Sequence, residues 1–252
     1  MRWEDTRDAV AGIPFMTAEQ GRRIYDHVRE TRPEIVLELG TGYGVSAAYI
    51  AAALDENGTG RLVSVDHRSS ASKYPPAETV AKASADLLSV VEFVREDASS
   101  YTWWLRARLE ERTDKDGNTG PLYDFCYLDG AHHWTIDGLA VFLVERLLRP
   151  GGWLLLDDLD WSFGTKTQWA DGEIAPFFPM SPDELRVPHM RSVFDLLLKT
   201  HPAFTSFSDE DGRWGWAKKD PAAPRTLRVE TSTSPSALVL SVLRRLAARL
   251  RR

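Results

Sequence analysis

The chain has 252 residues, 43% of them hydrophobic and 27% charged, enough apolar content for a full core and too ordinary a charge content for wholesale disorder. A net charge of −6 excludes the basic surface that general nucleic-acid binding needs. The single cysteine, Cys126, rules out an internal disulfide and a cysteine-based zinc site, and points to a reducing cytoplasm. No apolar run reaches the ~20 residues of a membrane span. The opening MRWEDTRDAV has no apolar segment of the secretory kind.

Apolar runs alternate with helical patterns through residues 17–160, the rhythm of a parallel sheet with helices on both faces. Thr17 is placed to cap a helix over 18–32, with Glu19 and Gln20 in its first turn and Pro33 at its end. Ile35–Leu39 reads as the first strand, and Ser46–Leu54 as a helix closed by Asn57-Gly58. Leu62–Val65 is the second strand, 69–76 a loop, Glu78–Leu88 a helix and Val90–Val94 the third strand. Ser99 or Ser100 caps a helix ending at Arg112, and the polar stretch 114–120 is an exposed turn. Tyr123–Leu128 is the fourth strand. Trp134–Leu148 is a helix broken by Pro150-Gly151-Gly152, and Trp153–Leu156 is the fifth strand.

Beyond Asp160 the pattern loosens. Residues 161–190 carry Trp161, Phe163, Trp169, Phe177, Phe178 and four prolines, an irregular insertion of the kind that forms a lid. A helix is predicted over Arg191–Thr200. Phe204–Phe207 and Trp214–Lys218 form a hairpin around Asp211-Gly212. The pattern predicts one domain over 1–219, then a proline-containing linker and an amphipathic basic helix, Ser236–Arg252, over 220–252. That helix suits a docked or dimerising element, and equally a membrane-surface or anionic partner.

The segment Val36-Leu37-Glu38-Leu39-Gly40-Thr41-Gly42-Tyr43-Gly44 is a glycine-rich turn between a strand and a helix, where a ligand can approach the backbone closely. Its G-x-G-x-G spacing is not the dinucleotide pattern, and a Walker lysine is missing. Glu38 is suited to a cationic ammonium group rather than a pyrophosphate. Asp66 ends the second strand, where a carboxylate can accept from ribose hydroxyls. Asp97, followed by Ala98 just past the third strand, is placed to accept from an adenine amino group.

These segments resemble the class I S-adenosylmethionine-dependent methyltransferases: ELGTGYG is similar to their first motif, VSVD to their acidic second-strand end, and EDAS to their third. The resemblance covers roughly residues 17–160. It implies a Rossmann-like α/β fold, a doubly wound seven-stranded and mostly parallel sheet with an antiparallel last strand, which Trp214–Lys218 would supply. It implies S-adenosylmethionine across the carboxyl ends of the strands. The expected donor pocket comprises Glu38, Gly40, Thr41, Gly42, Tyr43, Ser46, Asp66, Asp97, Ala98 and Asp129.

The fourth strand ends in Asp129-Gly130-Ala131-His132-His133, and the fifth in Asp157-Asp158-Leu159-Asp160. Neighbouring parallel strands would bring these acids together, where they repel unless protonated or neutralised by a cation. Oxygen ligands favour Mg²⁺, with Mn²⁺ or Ca²⁺ as alternatives. Such an ion would lower the pKa of a bound hydroxyl, and His132 would take its proton. The combination resembles the metal-dependent O-methyltransferases, which implies Asp129, Asp157 and Asp158 as metal ligands. His132 stands where the catechol type has a lysine and the macrocin and mycinamicin sugar type a histidine, so the resemblance favours the sugar branch.

The acceptor is accordingly a small molecule, with a glycoside or saccharide hydroxyl first and a catechol-like phenol second. A cephalosporin-hydroxylase-like protein and a non-catalytic adenosylmethionine-binding protein share enough of the pattern to remain alternatives. Residues 12–17 and 161–190 are expected to cover the site. His189 and Arg186 fall in that lid, and Trp103-Trp104 read as helix-packing or cofactor-edge aromatics rather than catalytic ones. Neither a nucleic-acid partner nor a membrane span is expected, and a homo-oligomer is compatible with the sequence.

Overall fold

The computed structural model describes residues 3–67, 75–165 and 179–222. Part of the expected lid, including Trp169, Phe177 and Phe178, and the expected helix Ser236–Arg252 lie outside the described residues. A seven-stranded sheet has the order β3-β2-β1-β4-β5-β7-β6. Its strands are β1 (Ile35–Leu39), β2 (Arg61–His67), β3 (Val91–Glu96), β4 (Tyr123–Leu128), β5 (Leu148–Leu156), β6 (Phe204–Glu210) and β7 (Trp214–Lys219). The first five are parallel, and β7 runs antiparallel to both β5 and β6. This is the expected doubly wound sheet with its antiparallel strand.

Strand alternation feeds two cores. Leu37, Leu39, Val63 and Val65 face α5 (Tyr101–Arg112) and α6 (Trp134–Leu147). Val36, Leu62, Phe125 and Tyr127 face α1 (Trp3–Val10), α2 (Ala18–Thr31) and α3 (Val45–Asn57). Burial on both faces explains why the central strands are mostly apolar rather than alternating. Almost all of α3 is buried, its alanines allowing close approach to the sheet.

The cap at Thr17 is present: its side chain accepts from the Gln20 N–H, and the Gln20 side chain accepts from the Thr17 N–H. Four elements differ from expectation. The short helix α1 carries no long periodic run, and Trp3 packs edge-on against Tyr49, ring centres 5.4 Å apart. The predicted helix 78–88 divides into α4 (Pro76–Ala83) and a 3₁₀ turn (Ala85–Val90), because Ser84 leaves the helix and caps the turn through the Asp86 N–H. Pro150-Gly151-Gly152 interrupts the register of β5 rather than preceding the strand, and Gly151 has φ +80°. After α7 (Pro182–Arg186) and α8 (His189–Ser192), the predicted helix continues as a π-helix, Val193–Leu198. The Lys199 N–H reaches back to Phe194 O, and Val193, Phe194 and Leu198 are buried on this wider turn.

Among the described residues no helix is long and apolar enough to cross a membrane.

Candidate active site

The carboxyl ends of β1, β4 and β5 open on one cavity of about 480 Å³, where open α/β sheets bind ligands. Gly40 to Tyr43, Ser46, Asp129, His132, Asp157 and Asp158 line it, with Phe15, Met16, Trp161, Phe163 and Arg213. Both segments expected to cover the site, 12–17 and 161–190, therefore contribute to its walls. Gly40 has φ +95°, and a Cβ there would lie 1.9 Å from the Asp129 carbonyl oxygen. Only glycine lets the ends of β1 and β4 meet this closely.

The glycine loop is held from below. Asp66 Oδ2 accepts from the N–H groups of Thr41 and Gly42 at 3.0 and 2.8 Å, and Asp66 Oδ1 from the His67 N–H. Glu38, expected to meet an ammonium group, turns under the loop instead. It is fully buried and accepts from the Ser46 and Ser64 hydroxyls at 2.5 Å each. Burial pushes its pKa up to about 7 despite those bonds. Glu38, Asp66, Asp97 and Ala98 do not line the cavity. Asp97 is exposed and Ala98 half-buried just beyond β3.

The other half of the cavity gathers charge. Ligand atoms of Asp129, His132 and Asp158 lie within 4.8 Å of one another. His132 Nε2 is 3.1 Å from Asp129 Oδ1 and 3.7 Å from Asp158 Oδ2. Burial opposes protonation of His132, but Asp129, then Asp158 and Asp137, outweigh it and push its pKa up to about 9. Asp157 is almost fully buried. Its Oδ2 accepts from the Tyr127 hydroxyl at 2.5 Å, and its Oδ1 from Trp214 Nε1 at 2.8 Å and the Asp158 N–H at 2.6 Å. Burial, then Asp129 and Asp158, hold its carboxyl well above the usual range. Arg213 stands over the pair, Nη2 3.4 Å from Asp158 Oδ1 and Nε 3.7 Å from Asp157 Oδ1.

His132 and Asp158 both take left-handed backbone, φ +52° and +53°, a conformation costing a non-glycine residue roughly 1–2 kcal/mol. Two buried groups clamp His132 from either side. The Ala131 N–H donates to Tyr101 Oη at 3.2 Å, and the His133 N–H to Asp137 Oδ2 at 2.6 Å. The Tyr101 hydroxyl in turn donates to Asp137. Tyr101, Asp137, Tyr127, Trp214 and Arg213 were not read as site residues from sequence. Asp137 had a legible signal: an acid on the buried stripe of α6, beside Val141 and Val144, demands a partner.

Other residues of these motifs and of the lid fall into structural places. His133 caps α6, its Nδ1 accepting from the Thr135 N–H at 3.2 Å. His189 is buried, bonded to the Trp134 N–H and the Glu184 carbonyl. Arg186 pairs with Asp183 on the surface. Asp160 binds Arg191 at 2.8 Å. Trp104 packs in the core while Trp103 is exposed.

Comparison with known proteins agrees with this geometry. Residues 37–159 match the family described as a methyltransferase domain. None of the curated proteins matches the chain. Among solved structures, the O-methyltransferase TomG from Streptomyces achromogenes, involved in tomaymycin synthesis and in complex with SAM, is 19% identical with TM-score 0.56, over 86% of this chain and 89% of that one. The O-methyltransferase from Bacillus cereus in complex with SAH is 18% identical with TM-score 0.54, over 86% and 90%. Cofactor-bound Rv0187 from MTB is 17% identical with TM-score 0.57, over 86% and 87%. The matched stretch runs from β1 to the turn after β5 and lines most of the cavity, and the whole sheet has the Rossmann-like methyltransferase fold.

Proposed function

We propose that this chain is an S-adenosylmethionine-dependent O-methyltransferase that uses a divalent ion, Mg²⁺ or Mn²⁺, to methylate a hydroxyl of a small molecule. The first acceptor class is a sugar hydroxyl of a glycoside or polysaccharide, and the second a catechol-like phenol. The observation that carries the reading is the group Asp129, His132 and Asp158 in one cavity with the glycine loop. Its likeness in fold to O-methyltransferases described with SAM and SAH supports it.

Two carboxylates suit a hard divalent ion. When bound, the donor supplies an electrophilic methyl group and the ion a charge that lowers the pKa of the acceptor hydroxyl. The chain's own residues do the rest. Gly40, Thr41, Gly42 and Ser46 cradle the donor. Asp66 braces the loop and keeps acceptor capacity for ribose hydroxyls, since a carboxylate has about four lone-pair sites. Asp97 and Ala98, just beyond β3, would meet the adenine of a bound donor. Asp129 and Asp158 would hold the ion, and Asp157, its oxygens taken by Tyr127, Trp214 and the Asp158 N–H, steadies Asp158 through that N–H. An ion between Asp129 and Asp158 would offset the charge that holds a proton on His132, leaving Nε2 free to accept the acceptor proton during methyl transfer. Phe15, Tyr43, Trp161 and Phe163 keep water from the reacting groups.

Radiolabel transfer from S-adenosylmethionine to a panel of glycosides and catechols tests this. Transfer stops with EDTA and returns with Mg²⁺; unimpaired transfer in chelator removes the metal role. The 4.8 Å grouping favours a second reading, in which His132 is a third ligand. Metal titration calorimetry separates the two: His132→Ala leaves metal affinity intact if it is the base, and weakens it if it is a ligand.

A further inference from the structure

Arg213 lines the main cavity together with the glycine loop, His132, Asp157 and Asp158. Its side chain is 47% exposed, so the guanidinium is open to what the cavity holds. The fold fixes its root. Asp211 and Gly212 turn at positive φ, and the Arg213 N–H donates to the Glu210 carbonyl at 2.9 Å. The Leu159 and Asp160 N–H groups donate to the Arg213 and Gly212 carbonyls at 2.9 and 2.8 Å. The β6–β7 turn is thereby tied to the two residues that follow Asp157 and Asp158, and the arginine rises beside the acid pair.

The guanidinium is attracted to those acids without being bound up by them. Nη2 lies 3.4 Å from Asp158 and Nε 3.7 Å from Asp157, longer than the roughly 2.7–2.9 Å of a charge-assisted hydrogen bond. Arg191, by contrast, donates directly to both Asp160 and Asp209. Asp157 does not need the arginine, since Tyr127, Trp214 and the Asp158 N–H already bond its oxygens. Nε and Nη2 are the atoms near the acids, which leaves the Nη1–Nη2 edge of the fork to take a further carboxylate.

Charge balance selects the ligand. A divalent ion cancels Asp129 and Asp158, and Arg213 cancels at most Asp157. The sulfonium of the donor then remains as one unopposed positive charge, its ammonium and carboxylate cancelling each other. An anionic acceptor neutralises that charge in a partly enclosed cavity, where opposite charges attract more strongly than in water. One guanidinium edge suits the single charge and planar oxygens of a carboxylate better than the near-double charge of a phosphate monoester.

We infer that Arg213 is an acceptor-specificity residue, holding a carboxylate of the acceptor while the hydroxyl to be methylated lies at Asp129, His132 and Asp158. Both positions border Asp158, so one ring spans them. The inference rests on the proposed function and adds that the acceptor is an acid: a uronic acid glycoside in the sugar class, a carboxylated catechol in the phenol class.

The test measures binding to the full chain, loaded with S-adenosylhomocysteine and saturating Mg²⁺, by saturation-transfer NMR titration. The probe pairs are methyl glucoside with methyl glucuronide, and catechol with protocatechuate. In at least one pair the acid binds about tenfold tighter, as one charge-assisted hydrogen bond would give. Arg213→Gln brings that ratio to about one. Arg213→Lys, which keeps the charge but not the fork, retains part of it. The ratio within each variant is the readout, so a general change in ion or donor binding cancels. Equal affinities within both pairs, no measurable binding of either acid, or an advantage that survives Arg213→Gln overturns the assignment; the last would mean that the acids bind the ion instead. Failure to bind S-adenosylhomocysteine overturns the proposed function, and this assignment with it; normal binding of it with no advantage for the acids removes the Arg213 assignment alone.

Discussion

Acids stand at the ends of β1 and β2 and again at the ends of β4 and β5, yet the two halves use them differently. Glu38 and Asp66 spend their oxygens on the protein itself, on the Ser46 and Ser64 hydroxyls and the Thr41 and Gly42 N–H groups. Asp129 and Asp158 face the cavity with His132 between them. Within the second half the split repeats. Asp157 is held by Tyr127 and Trp214, while its neighbour Asp158, turned by left-handed backbone, faces His132. A carboxylate at a strand end becomes a brace where the fold brings donors to it and a ligand-binding group where it brings another carboxylate.

The contrast predicts different symptoms for the two kinds of acid. Asp158→Ala lowers kcat by about 10³-fold, given the several kcal/mol that metal charge stabilisation is worth, and leaves the melting temperature near wild type. Paired kinetics and thermal melts check this; a metal-responsive, near-normal Asp158→Ala enzyme would place the ion elsewhere. Asp157→Ala, by contrast, strips the partners from Tyr127 and Trp214 and lowers the melting temperature as well.

Glu38 yields a pH signature that belongs to the loop half alone. Its folded pKa, pushed up to about 7 by burial, lies above its unfolded value. The folded state therefore binds the extra proton. Its stability contribution is complete below the unfolded carboxylate pKa and is lost as pH rises through about 7. The loss is on the order of 3 kcal/mol. Denaturation midpoints measured from pH 4 to 8 should fall across that window in wild type and lose this component in Glu38→Gln; identical slopes would mean Glu38 does not titrate there.

His132→Ala lowers kcat by about 10²-fold, the lower end of general-base contributions, with donor affinity unchanged by calorimetry. A wild-type kcat moves the base to another group. The smallest effect is expected at Tyr101→Phe, which removes the acceptor for the Ala131 N–H and the donor to Asp137. Loosening one side of the His132 clamp costs about tenfold in kcat with KM little changed, as one lost hydrogen bond would. Equal losses in stability and no kinetic change would make Tyr101 a packing residue only.

Much of the fold was legible before any coordinates. Strands β1 and β4 match their predicted bounds, and Thr17 caps α2 as its residue type and spacing require. Asp211-Gly212 makes the β6–β7 turn, both residues at positive φ. The elements misplaced were those whose local signal is weak or ambiguous. Pro150-Gly151-Gly152 reads as a terminator, but within a sheet the same residues make a bulge, because neighbouring strands β4 and β7 hold the ends in register. The π-helix has the pattern of an ordinary helix and differs only in how Val193, Phe194 and Leu198 meet the core.

Local sequence, then, determined the strand–helix order, the glycine loop and the identity of the acids at each strand end, since propensity, capping and period act over a few residues. Tertiary structure alone decided which oxygens are free. It brought Tyr127 and Trp214 to Asp157, Ser46 and Ser64 to Glu38, and Arg213 from a distant hairpin to the cavity wall. Hydrogen bonding and desolvation depend on neighbours far apart in the chain, and those neighbours exist only once the sheet has formed.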